Sequence, residues 1–178
     1  VPAGLALSGE DVDRDLRRRQ RGYGRGGRMK IERDTALLEA GVRNGETLGG
    51  PIALRIVNRD HASWKGRMGP EVFDEPPVPV TLPRPGHADL AGVLKYDRAD
   101  ARDILERASA RETAARVAAG GVARLVIPEV QIHAWVAEIG GDAIDPANFD
   151  LEEIDRNPFF CPDPAAAQRW EGLMDAAR

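Results

Sequence analysis

From Ser109 to about Ile127 the chain reads as one long helix whose inward positions are nearly all small, and this stretch constrains the fold most. Ala114, Val117, Ala118, Gly121, Val122 and Leu125 recur at helical spacing on one face. Alanine and glycine bury little surface of their own, so such a face gains only when another backbone comes close against it. The helix is therefore expected in the interior, covered by other elements. Ser109 and Glu112 stand three apart at its start, the spacing of a capping box.

The partners of that helix are legible as short segments. Ser8 is placed to cap a helix with Glu10 and Asp11 in its first turn and Arg17, Arg18 and Arg19 in its last, matching the helix dipole at both ends. Val12 and Leu16 form its buried face. Two apolar runs, 36–42 and 51–57, flank "RNGETLGG" and read as strand, turn, strand. Five prolines between Pro76 and Pro85 enforce a stiff extended connection. Residues 100–107 are weakly helical, and 130–136 alternate as a strand through Ile132 and Ala134. A last helix opens at Asp163 and Pro164 with Trp170, Leu173, Met174 and Ala177 on one side. The segments show no internal repeat, and one domain over 1–178 is the default count.

The formal net charge of -4 gives the whole molecule no attraction for nucleic acid or an anionic membrane. The basic charge is nonetheless concentrated. "RRRQRGYGRGGRMK", residues 17–30, holds seven cations and no acid. Three readings stay open on composition: a solvated loop, a seat for a phosphate- or carboxylate-bearing small ligand, and an RNA-directed arm of the RGG type. The single cysteine, Cys161, excludes an internal disulfide, and no spacing suggests a zinc site. No apolar run reaches membrane-spanning length, so no membrane contact is expected and cytoplasm is the simplest compartment. Both ends look cut, since Val1 is not a methionine and Arg178 closes a helical pattern without a stop.

His87 follows Pro85 and Gly86 and precedes Asp89, so a rigid turn presents an imidazole with a carboxylate close in sequence to orient it. His61 and His133 lack such a context and read as ordinary residues. Arg107, Ala108 and Ser109 stand at the start of the long helix, where free N–H groups favour an anion, although Ser109 serving only as a cap explains the same residues.

Five segments, "GYGRGGRMKIE", "AGVRNGETLGG", "RPGHADLAGVLKY", "ERASARETAARVAAG" and "NPFFCPDP", together closely resemble chorismate synthase, in that family's order and approximate gaps. The resemblance implies a homotetrameric α+β enzyme, with helices between antiparallel sheets, of which this chain is a part. The implied reaction is a lyase step in aromatic amino acid biosynthesis. Phosphate is lost from 5-enolpyruvylshikimate 3-phosphate by anti 1,4-elimination to give chorismate, with reduced FMN as cofactor and NADPH as a reductant in some members.

On the same resemblance His87 is a catalytic histidine acting on the protonation of the reduced flavin. Arg19, Arg25 and Arg28 bind substrate or NADP, and Arg107, Ala108 and Ser109 bind the flavin. The chain departs from the family where a Gly-Glu-Ser-His-Gly motif with a first catalytic histidine is expected. The family's C-terminal half is also missing, so the chain is expected to be a truncated, inactive piece.

Overall fold

The computed structural model describes residues 1–24, 33–59, 61–108 and 110–177. It divides into two compact units, one formed by Val1–Leu16 with Asp34–Val126 and the other by Arg17–Arg33 with Ile127–Arg178. The elements are mixed α and β, and every strand pairing is antiparallel, so the α+β expectation holds. No helix among the described residues is long and apolar enough to cross a membrane.

The first unit contains β1 (Ala3–Ala6), the start of α1 (Gly9–Gln20), β2 (Ala36–Ala40), β3 (Val42–Arg43), β4 (Glu46–Leu48) and β5 (Ala53–Ile56), followed by α2 (Asp89–Tyr96), α3 (Arg102–Ala108) and α4 (Ala110–Val126). Ser8 caps α1 as expected. Its Oγ donates to Asp11 Oδ2 at 2.7 Å, its N–H donates to the same oxygen at 2.9 Å, and the Asp11 N–H returns to Ser8 Oγ at 3.4 Å. These bonds from Ser8 hold the Asp11 carboxyl below its ordinary pKa. Val12 and Leu16 are fully buried and meet Leu7, Ala36, Ala114, Ala118 and Val122 in one core.

The small face of α4 does what its composition requires. A Cβ on Gly121 would lie 3.6 Å from the Val12 Cα, so the α1 and α4 backbones approach closely there. Arg124 Nη1 reaches Asp15 Oδ1 at 3.1 Å across the same pairing.

The turn expected over "RNGETLGG" is more structured than its composition suggests. Asn44 (φ 52°) and Gly45 (φ 78°) form a two-residue reversal between β3 and β4, with Arg43 opposite Glu46. β4 then pairs with β1, giving the sheet order β1-β4-β3, while β2 and β5 pair separately with Leu38 opposite Leu54. The expected strand pair therefore forms as β2 and β5, and the segment between them folds into a further pair, β3 and β4, that joins a second sheet with β1.

The second unit contains β6 (Glu138–Ile139), β7 (Asp142–Ala143), two short 3-10 turns (Pro146–Asn148 and Leu151–Asp155) and α5 (Pro164–Ala176). The strand expected over 130–136 does not form. That segment runs without a ladder partner among the described residues, and Val130, Ile132 and Trp135 stay exposed. The hairpin lies just beyond it, reversed by Gly140 (φ 61°) and Gly141 (φ 87°).

α5 begins where Asp163 and Pro164 indicated, but its buried face is Ala166, Ala167 and Trp170, with Met174 packed alongside. Leu173, expected inside, is exposed. The Trp170 Nε1–H donates to the Asp142 carbonyl at 2.9 Å, which satisfies its one polar atom inside the core.

Candidate functional site

The proline-rich connection is tied down at two points, both in the first unit. Asp100, just before α3, accepts from the Val80 N–H at 3.1 Å, and the Ala101 N–H returns to the Val80 carbonyl at 2.9 Å. Arg102 binds both oxygens of Asp100, at 2.7 Å through Nη2, and donates to the Val78 carbonyl as well. These bonds from Arg102 hold the Asp100 carboxyl below its usual pKa.

The second tie shapes the histidine turn. Asp89, the first residue of α2, is almost fully buried. It accepts from the Arg84 N–H at 3.0 Å, Arg84 Nε at 2.8 Å and Arg84 Nη2 at 2.8 Å. His87 Nδ1 lies 2.8 Å from Asp89 Oδ1 and 3.0 Å from Arg84 Nη2. The bidentate Arg84 guanidinium pushes the Asp89 carboxyl well below the ordinary carboxylate range, so it remains an ionised acceptor. The contact at Nδ1 fixes the orientation of the His87 ring, with Nε2 on the opposite edge from Asp89. Gly86 (φ 67°) makes the turn between proline and histidine possible.

A groove of about 610 Å³ opens beside this turn, lined by Ala88, Ala91 and Gly92 together with Lys95, Tyr96, Ile104, Ala108, Glu112 and Arg116. Its lining combines small apolar side chains with charges of both signs. Arg116 Nη2 binds Glu112 Oε1 at 2.9 Å, one helical turn apart, so Glu112 supports a cation rather than the helix start alone. The width is set by how closely α2 meets α3: a Cβ on Gly92 would fall 2.3 Å from Ile104 Cγ2.

Of the residues singled out from the sequence, Ala108 lines this groove, and His87 adjoins it through Ala88. Arg107 is in the last turn of α3, and Ser109, with its capping role, lies outside the described residues. Arg25 and Arg28 also lie outside them. Arg19 sits in the last turn of α1 and belongs to the second unit.

Arg18 and Arg21 of the same basic stretch are engaged by Asp155, Arg18 Nε at 2.7 Å and Arg21 Nη1 at 3.8 Å. That engagement leaves less of the stretch for a polyanion such as RNA. His61 and His133 are exposed, and neither is among the residues lining the groove. Arg84, Asp100, Arg102, Lys95 and Arg116 were missed as parts of the site. Arg84 and Asp89 bracket His87 in sequence, which was the available signal for that pair.

The family model described as chorismate synthase matches residues 1–178. A chorismate synthase of Rubrobacter xylanophilus is 55% identical over 182 residues, covering 100% of this chain and 47% of that protein. One from Sphingopyxis alaskensis is 58% identical over 177 residues, covering 99% and 46%. A solved structure described as "Crystal Structure of Chorismate Synthase" superposes with a TM-score of 0.70 at 36% identity, covering 99% of this chain and 46% of that one. The chain thus spans about half the length of the curated relatives it matches.

Proposed function

Because the chain belongs to the chorismate synthase family, we propose that it forms the part of a longer lyase that carries His87 and one wall of the flavin site. The longer enzyme converts 5-enolpyruvylshikimate 3-phosphate to chorismate and phosphate. It works in the cytoplasm as a homotetramer, with its flavin reduced either by NADPH on the enzyme or by an external source. Residues 1–178 are one partial domain of it. The observation that carries this reading is the groove itself, which brings Ala108 together with Ala88, the neighbour of His87.

The residues present fit FMN. Ala88, Ala91, Gly92, Ile104 and Ala108 give an apolar wall with little side-chain bulk, and Lys95 and Arg116 supply cations for a phosphate. Reduced FMN, when bound, lends electron density transiently to the substrate and is recovered reduced, so the elimination involves no net redox change. Phosphate leaves with its C–O bond electrons and a proton leaves from the opposite face at the far end of the 1,4 relation.

His87 is oriented through Nδ1 by Asp89, which Arg84 in turn keeps ionised, so Nε2 is the ring atom offered for proton transfer. The Asp100–Arg102 pair fixes the approach to that turn, so the imidazole is presented by a pre-set backbone. Arg19, with Arg25 and Arg28, holds the phosphate or carboxylate groups of substrate or nucleotide. Arg107 and Ser109 join Ala108 at the flavin.

Titrating the purified chain with FMN and following flavin fluorescence tests the groove. Wild type should bind, and Ala91→Trp, which fills the groove, should weaken binding about tenfold or more. Equal affinity in both would refute this seat. Supplied anaerobically with reduced FMN and substrate, the chain alone should make no chorismate, and co-expressing the remaining segments of a relative should restore it.

A further inference from the structure

The arginine segment of the second unit rests on a turn to which nothing above gives a role. We propose that residues 157–161, with Asp155 beside them, are a positioning platform. Phe160 and Asp155 fix the direction in which Arg19 meets a phosphate- or carboxylate-bearing ligand, without touching that ligand themselves. The proposal rests on the reading of Arg19 as a ligand contact.

The turn is rigid for a local reason. The Asn157 side chain uses its whole hydrogen-bonding capacity on the backbone around it. Nδ2 donates to the Glu153 and Cys161 carbonyls, each at 2.8 Å, and Oδ1 accepts from the Phe159 N–H at 3.1 Å and the Cys161 N–H at 3.2 Å. Within this frame Phe159 and Cys161 are buried, while Phe160 between them is half-buried and has φ 53°. That is a left-handed conformation a bulky aromatic rarely adopts, and such backbone tends to mark a constrained functional position.

The ring of Phe160 meets cations. The guanidinium carbon of Arg18 lies 4.6 Å from the ring centroid and that of Arg21 lies 5.6 Å away. Asp155 binds the same two side chains, Arg18 through its carboxylate and Arg21 through both carboxylate and carbonyl. Further along, the Tyr23 N–H donates to the Pro158 carbonyl at 3.1 Å, its ring lies 5.1 Å from Phe159, and its hydroxyl donates to Asp175 at 2.7 Å.

Arg18, Arg21 and Tyr23 are thus each held by the turn or beside it. Arg19 follows Arg18 on the helix, about 100° further round, so pinning Arg18 sets the direction of Arg19. Four arginines within residues 17–21 would otherwise repel one another. The single carboxylate of Asp155 and the ring face of Phe160 offset part of that repulsion at Arg18 and Arg21, and the stretch keeps a net positive charge that suits an anion.

The test uses the 178-residue chain, with 5-enolpyruvylshikimate 3-phosphate as the calorimetric probe and limited trypsin cleavage after Arg18 and Arg21 as a ligand-free readout. Phe160→Leu keeps bulk and removes the π face. Asp155→Asn, at an exposed position, removes the charge without threatening the fold. Both should weaken the probe about fivefold or more and speed cleavage after Arg18 and Arg21 about tenfold, with cleavage after Lys95 unchanged. Phe160→Tyr should restore both readouts to within about twofold of wild type.

Wild-type affinity and wild-type cleavage in both variants would overturn the platform. A wild-type chain that ignores the probe while its cleavage still responds to the variants would overturn the ligand role of Arg19, and with it the ligand-directed purpose of the platform. Accelerated cleavage together with unchanged affinity would show packing without positioning, and would also overturn the proposal.

Discussion

Replacing Asp163 should show how one buried carboxylate holds the second unit together. Its Oδ1 caps α5 by accepting from the Ala165 N–H at 3.0 Å and the Ala166 N–H at 3.2 Å, and its Oδ2 accepts from the Asp145 N–H at 3.0 Å. The side chain is fully buried, so water does not replace these bonds when they are lost. Loss of a helix cap destabilises by about 1 kcal/mol, and a buried N–H left without an acceptor costs about 1–3 kcal/mol.

Asp163→Ala should therefore lose about 2–4 kcal/mol, a large part of the ~5–15 kcal/mol typical of a folded domain. Asp163→Ser keeps a cap but not the Asp145 bond, and Asp163→Asn keeps Oδ1 while turning an N–H₂ toward the Asp145 N–H. Both should fall between Ala and wild type. Urea unfolding followed by circular dichroism and by the fluorescence of buried Trp170 would give the order, with the midpoint moving and the slope unchanged. An Ala variant within about 0.5 kcal/mol of wild type would refute the reasoning. Ala and Ser variants of equal stability would remove the cap from the account.

Two further outcomes follow from single sites. Gly41→Ala should destabilise by about 2 kcal/mol or more in the same urea assay, because Gly41 has φ 86° and a Cβ there would lie 2.3 Å from the Pro51 carbonyl oxygen; an unchanged midpoint would contradict this. The carboxyls of Asp89 and Asp163 are both held below their ordinary values, the first chiefly by the Arg84 side chain and the second chiefly by the Asp145 N–H. A carboxyl depressed in the folded state stabilises fully above its unfolded value of about 3.9 and loses that contribution as pH falls through the folded value. The urea midpoint should then hold from pH 7 to about 5 and fall below about pH 4, less steeply in Asp89→Asn; identical slopes in the two proteins would refute it.

What the sequence made legible follows from how local each signal is. Ser8, the acid-to-base gradient of α1 and the alanine face of α4 specify helices through neighbouring residues, and these helices form where expected. The β elements depend on which distant segment offers a ladder. Val130 to Val136 alternates as a strand should, yet joins no ladder among the described residues, whereas two glycines at 140–141 carry the hairpin. Asn44-Gly45 was a strong reversal signal within a segment read only as a turn.

At the site, the His87–Asp89 pair was visible from spacing alone. Its fixation by Arg84, and the tie from Asp100 and Arg102 back to the prolines, involve contacts across as many as 24 residues that no local pattern announces. The groove exists because Gly92 lets α2 approach Ile104 of α3, a tertiary consequence of one missing Cβ.

The most direct measurement exchanges this chain for the matching part of the Rubrobacter xylanophilus chorismate synthase, which is 55% identical to it, and follows chorismate by absorbance under anaerobic conditions with chemically reduced FMN. The chimera should turn over, and His87→Ala within it should lower kcat about 10- to 10⁴-fold while FMN affinity stays within about threefold, as expected of a proton-transferring group. An active chimera whose His87→Ala variant keeps its full rate at saturating substrate would contradict the assignment and leave His87 a structural residue.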